Sequence, residues 1–319
     1  MKIFILFLTI ALCNCKPPNL NNPYDPKAND FLSVQALGCL EMDTILCPPV
    51  TVSGVMTGLT PSSSVKLRLD FGFSSEPILQ NGNFQIQTRG GIFTNLYIAE
   101  QPADLHCIII NKGSMTSGII QNVEITCPLH RRLVDGIEVG YSRCLYGQTW
   151  NPNGNNNSGN CQGVGTAGDD YGLVSNITFC NLFSIGGCTG DVTGGTLLPP
   201  PWIGSNISLL YNACFSYQTE SRWGKTNWRV PSKNEVKQLV QCANGPSSPL
   251  DDLVSCNAGY SSPTVNTNIF TNFPTSVSVW TNQSYMIDEV QAFAVDFTNG
   301  YTSTPDQDTS LSTLCVTNL

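Results

Sequence analysis

The stretch TNWRVPSKNEVKQLVQC, Thr226 to Cys242, decides how the C-terminal half of this chain is read. Ser232-Lys-Asn-Glu235 is a capping-box sequence, in which the serine oxygen accepts the Glu235 amide and the glutamate reaches back to the serine amide. Pro231 stands just before the cap, where its missing N–H costs nothing. Val236, Leu239 and Val240 then recur at i, i+3 and i+4, so the segment predicts a short amphipathic helix ending at Cys242. A strand-like Trp228-Arg229-Val230 therefore turns sharply into a helix. Trp228 and Arg229 read as a structural corner, with Trp228 buried against this second helix and Arg229 paired to a carboxylate or to backbone carbonyls.

Upstream, Leu209, Leu210, Ala213 and Cys214 fall at roughly helical spacing within Ile207 to Tyr217, giving one earlier helix. Much of the remaining chain alternates. Val65, Leu67, Leu69 and Phe71 point one way with Lys66, Arg68 and Asp70 between them, the period-two pattern of a strand with one buried face. Asn81-Gly82 is a hairpin signal leading into the alternating Asn83 to Gln87. Leu96 to Ala99, Cys107 to Ile110 and Val123 to Cys127 are further strand candidates, and short strands at such intervals suggest a β-sandwich.

The chain opens MKIFILFLTIALCNC, one lysine followed by an apolar run from Ile3 to Cys13. That run is shorter than the about 20 residues that span a bilayer, and reads as the apolar region of a signal peptide over residues 1–14. Leu12-Cys13-Asn14-Cys15 resembles a bacterial lipoprotein signal, which implies lipidation of Cys15 and a membrane partner through that lipid. Residues 15–46 contain KPPNLNNPYDPKAND and read as a polar tether.

The chain holds 14 cysteines and only two histidines, His106 and His130. With the export signal this implies an oxidising compartment. No CxxC occurs, so neither a zinc site nor a thioredoxin-like centre is expected, and no cofactor or metal is called. Setting aside Cys13 and Cys15 leaves twelve cysteines. Sequence does not fix their connectivity. Spacing suggests Cys39 with Cys47, Cys107 with Cys127, Cys144 with Cys161, Cys180 with Cys188 and Cys242 with Cys256, which leaves Cys214 and Cys315. The formal net charge is −8 and charged residues make up 12% of the chain. His130-Arg131-Arg132 is the one basic cluster, so nucleic acid is not an expected partner. Pro128 to Arg132 reads as a solvated linker between domains.

Residues 47–127 resemble a small immunoglobulin-like module of bacterial lipoproteins, carried by VTVSGVMTGLTPSSSVKLRL, NGNFQI, QPADLHCIIINKG and QNVEITC. The resemblance implies a spacer or binding module without catalytic residues. Residues 128–319 resemble the Lcl C-terminal family. TNWRVPSKNEVKQLV, then SVWTNQSY around Trp280, AFAVDFTNGY and the terminal LCV carry the likeness. The family's tyrosine and serines are replaced at Val279 to Asn282, and its usual tryptophan at Phe293. The family is related in shape to C-type-lectin-like folds, which implies an α+β domain with two short helices and a twisted antiparallel sheet. It also implies a disulfide from first helix to last strand, which Cys214 with Cys315 would provide. The expected fold is thus mainly β with a smaller α+β part. Shape alone does not imply function.

Asp169-Asp170 as calcium ligands and Asp288-Glu289 near Asp296 as paired carboxylates are the remaining chemical candidates. Both read more simply as solvated acids. No nucleophile pair or phosphate loop presents itself, so an enzyme is not expected; a formylglycine-generating oxidase would need reactive cysteines. The expectation is a lipid-anchored protein of the outer membrane or cell surface that binds host, matrix, glycan or envelope ligands. The alternative is a structural envelope lipoprotein with no specific ligand. The disulfide-clasped loops before Trp228 are where a ligand is expected.

Overall fold

The computed structural model describes residues 48–70, 74–89, 95–116, 118–163, 172–181, 188–189, 195–198, 208–242, 252, 254–256, 259–285 and 290–319. The signal, Cys15, the tether, Cys39, Cys47, Phe71, Asp169-Asp170 and Asp288-Glu289 lie outside them.

The molecule is mainly β with two short helices. Strand β1 (Pro49–Thr57) buries Val50, Val52 and Met56. It pairs antiparallel with β3 (Gly82–Arg89) on one side, Val52 opposite Ile86. On the other side it runs parallel to β6 (Ile119–Val134), Val52 opposite Ile120. The register shifts between Val52 and Gly54, and a Cβ on Gly54 would sit 2.0 Å from the Val123 carbonyl oxygen, so only glycine fits this bulge. β5 (Leu105–Thr116) pairs antiparallel with β6. A smaller sheet of β2 (Lys66–Leu69) and β4 (Leu96–Glu100) contributes Leu67, Leu69 and Leu96 to the same core. Asn81-Gly82 opens β3 instead of forming a two-residue hairpin. The Asn81 amide accepts from the Leu59 N–H at 2.8 Å and donates to the Leu59 carbonyl at 2.9 Å, clasping the exit of β1.

The solvated linker expected at Pro128 to Arg132 is corrected: these residues lie inside β6, and Leu129 and His130 are buried. β6 passes from the first sheet into a pairing with β7 (Ile137–Ser142), so the strand continues through position 128. Pro128 is tolerated because β5 skips there: His106 faces Leu129 and Ile108 faces Thr126, leaving Cys127 and Pro128 in a bulge opposite Cys107. A proline in a bulge leaves no ladder donor missing. The cations expected to mark a basic spot are each matched by an acid. Arg131 pairs with Glu138, and Arg132 lies 3.8 Å from Asp104.

Beyond β7 come a small hairpin, β8 (Thr149–Asn151) with β9 (Asn160–Gln162), and helix α1 (Leu209–Thr219), capped by Ser208. A 3₁₀ turn (Arg222–Gly224) and helix α2 (Lys233–Lys237) follow. The chain closes with an antiparallel sheet of β10 (Ser278–Ser284), β11 (Ala292–Asp296) and β12 (Tyr301–Ser303). The last strand, β13 (Val316–Asn318), returns to β7. α2 stops short of Cys242. Leu239 and Val240 donate to carbonyls three residues back, which tightens the turn, and Gln241 then donates to Thr264, so the apolar face is delivered into the core by a turn. One core joins Val52 and Leu67 to Val236, Phe270, Val279 and Leu314, continuous across position 127.

Five disulfides tie the described residues: Cys107–Cys127, Cys144–Cys161, Cys180–Cys188, Cys214–Cys315 and Cys242–Cys256. Cys214–Cys315 joins α1 to the residue before β13.

Candidate ligand groove

The Trp228 to Val230 segment is a bridge to the end of the chain, because Arg229 and Val316 exchange both backbone hydrogen bonds at 2.9 Å. Both arms of the capping box are made: Ser232 Oγ accepts the Glu235 N–H, and a Glu235 oxygen accepts the Ser232 N–H. Arg229 grips the same carboxylate with both terminal nitrogens, at 2.8 and 2.6 Å, and also donates to Asn318 Oδ1 at 3.2 Å. The hydrogen bonds to Glu235 raise the Arg229 pKa above its ordinary value. Glu235 is buried, so one carboxylate closes the corner, caps α2 and neutralises the guanidinium.

Trp228 is 2% exposed. It meets Tyr217 edge to face at 5.4 Å, and its Nε1 donates to the Arg222 carbonyl at 3.0 Å. Tyr217 belongs to α1, so Trp228 packs on the first helix, and the expectation of packing on the second is corrected. The cause is the bridge to Val316, which aligns residues 228–230 beside the strand that Cys214–Cys315 ties to α1. Trp280 is fully buried and donates to the Ile177 carbonyl at 2.8 Å.

Above this corner opens a groove of about 240 Å³ lined by Leu197, Tyr211, Cys214, Phe215, Gln218, Trp228, Arg229, Val230 and Asn282. α1 has two apolar stripes. Leu210, Ala213, Cys214 and Tyr217 face the core. Tyr211, Phe215 and Gln218, at i, i+4 and i+7, line the groove instead, and such spacing aligns side chains along one helix face. The Tyr211 and Phe215 rings are stacked, 5.7 Å apart at 20°, and Phe215 is 41% exposed. The side-chain amides of Gln218 and Asn282 make no hydrogen bond within the described residues, while the Asn282 backbone is fixed by Pro231 and Leu197.

The ligand position expected in the disulfide-clasped loops is thus not where the groove lies. The Cys144–Cys161 loop closes on the molecule itself: Gly58 donates to Asn157, Thr271 to Gly159, and Trp150 Nε1 to Thr126. Tyr211, Phe215 and Gln218 were missed as site residues. Their signal was present, an aromatic stripe on the face of α1 opposite its core stripe. Asp296 caps its own turn, its carboxylate accepting the Thr298 N–H at 2.8 Å. No cluster of three metal-binding side chains occurs among the described residues, and no helix among them is long and apolar enough to cross a membrane.

Residues 204–317 match the family model of the Lcl C-terminal domain, a span that holds α1, the corner, the groove wall and the closing sheet. No curated protein and no solved structure matches the chain.

Proposed function

We propose that this chain is an exported bacterial envelope protein, anchored through a lipid on Cys15, that binds a matrix, glycan or envelope ligand and catalyses no reaction. The observation that carries this reading is the exposed Tyr211–Phe215 ledge over a formed groove, beside two amides without partners. Exposed aromatics rimmed by polar groups mark contact sites more often than they decorate inert surfaces. The ten described cysteines are all in disulfides, which suits an oxidising compartment and is unfavourable for a thiol-dependent oxidase.

The test is a binding panel of matrix proteins, glycans and envelope polymers, run with wild type and with Phe215→Ala. A ligand retained by wild type and lost by the variant is the expected result. Uniform absence of binding by disulfide-intact protein favours the alternative, a structural lipoprotein. Palmitate incorporation in wild type against Cys15→Ala tests the anchor, and protease accessibility on intact cells tests display.

A further inference from the structure

We infer that the groove takes an uncharged pyranose ring, the terminal or side residue of a neutral glycan, in preference to a sulfated or carboxylated polysaccharide. This rests on the proposal that the groove is the contact site, and it names the ligand class.

The lining residues divide into two kinds. Tyr211 and Phe215 form a ledge of two stacked rings, with Trp228 behind them. The C–H face of a pyranose packs on such rings, because its weakly positive hydrogens meet the negative face of the π system. Gln218 and Asn282 stand at the rim, and each carries a donor and an acceptor with no partner in the fold. Vicinal hydroxyls pair with such amides in both directions at once.

Charge decides between glycan classes. Arg229 is the only cation lining the groove, and both its terminal nitrogens are committed to Glu235. Nearby, Arg222 stacks over Tyr217 at 3.6 Å and bonds Glu220. Each guanidinium therefore arrives with its own carboxylate, and the chain as a whole carries −8. An anionic polymer would meet no net positive charge here and a repulsive long-range field. At about 240 Å³ the groove is smaller than drug-sized pockets of roughly 300–1,000 Å³, a size suited to one ring and part of its neighbour.

The experiment uses saturation-transfer NMR on the tether-plus-folded chain with methyl glycosides of neutral hexoses and N-acetylhexosamines. Heparin-derived oligosaccharides serve as the anionic class. The expected result is transfer to ring-face protons of at least one neutral glycoside, unchanged up to roughly 0.5 M NaCl. Phe215→Ala should weaken that binding about tenfold or more, and Asn282→Ala should weaken it at an unchanged melting temperature. Binding of the sulfated oligosaccharides alone, fading with salt, overturns the inference. So does loss of a matrix protein in Phe215→Ala when no saccharide binds, an outcome that leaves the groove as the contact site. A folded Phe215→Ala that binds every ligand as wild type does overturns the contact site itself.

Discussion

Glu235 holds three groups at once: two Arg229 nitrogens and the Ser232 amide. Glu235→Ala leaves a half-buried guanidinium and an N–H without their acceptor, a loss of roughly 2–4 kcal/mol after allowing for the solvent that reaches Arg229. Glu235→Gln keeps the acceptor for Ser232 and should cost less than half as much. Urea titrations of both variants measure the ratio, and equal losses would show that the ion pair contributes nothing beyond the cap. A second residue, His130, makes stability depend on pH. Its Nδ1 bonds the Asp104 carbonyl at 2.7 Å, and Arg132 donates to its Nε2 at 3.0 Å, so both nitrogens suit the neutral ring. Burial, with Arg132 beside it, holds its pKa down to about 3, and burial holds His106 at about 4. Between these values and the ordinary 6.5 the unfolded chain binds protons that the native chain does not, so unfolding free energy rises with pH over that window. Acidification from pH 7 to 5 should therefore remove roughly 2 kcal/mol through His130. Melts of wild type and His130→Gln should converge toward acid pH, and parallel profiles would exclude His130 as the cause. At this scale the corner was legible, because the Pro-Ser-x-x-Glu order is local grammar. The partner of Trp228 was not, since contact with Tyr217 depends on where β13 sends residues 228–230.

Among the elements, the period-two strands were readable and their limits were not. Leu67, Leu69 and Val123 announce one buried face. His130-Arg131-Arg132 suggests water, yet the β5 and β7 ladders and the acids Asp104 and Glu138 satisfy those residues within a sheet. Ladder pairing is nonlocal information, which a polar run of sequence does not contain. α1 shows the converse: its core stripe was legible through Leu210, Ala213 and Cys214, while its second aromatic stripe was passed over because one buried face already explained a helix. α2 is five residues long and depends on its cap. Ser232→Ala should cost about 1 kcal/mol, read as a lowered denaturation midpoint at unchanged slope. Because Pro231 and Asn282 link that cap to the groove, the same variant should loosen ligand binding only modestly. A large loss of affinity at small stability cost would mean that α2 orders the groove more strongly than its contacts suggest.

At the scale of the molecule, two devices join the first sheet to the closing one. The Cys214–Cys315 bridge spans 101 residues, and in the chain-entropy model such a loop contributes nearer 5 kcal/mol than the about 3 of the short ones. Cysteine spacing pointed to these pairs because short loops close locally and one long pair is left over. Nothing in the sequence pointed to Arg143. It is 1% exposed, donates to the carbonyls of Gly58, Cys127 and Ile269 at 2.7 to 2.8 Å, and lies 4.3 Å from the Trp150 ring. No carboxylate shares those contacts. Burial pushes its pKa down to about 9, so the ring of carbonyls still surrounds a cation at neutral pH. Those carbonyls come from the end of β1, the bulge of β6 and the 3₁₀-rich turn before Phe270, three places far apart in sequence. Removing the side chain strands three buried acceptors and opens a void under Trp150. Arg143→Ala should therefore cost roughly 4 kcal/mol or more. Arg143→Lys keeps the charge but not the fork, and should recover less than half of that loss. Equilibrium unfolding followed by tryptophan fluorescence and by far-ultraviolet circular dichroism checks both. Coincident curves in wild type that separate in Arg143→Ala would show the first sheet letting go of the rest. A loss under about 1 kcal/mol with curves still coincident would mean that the continuous core and the disulfides join the two parts without it.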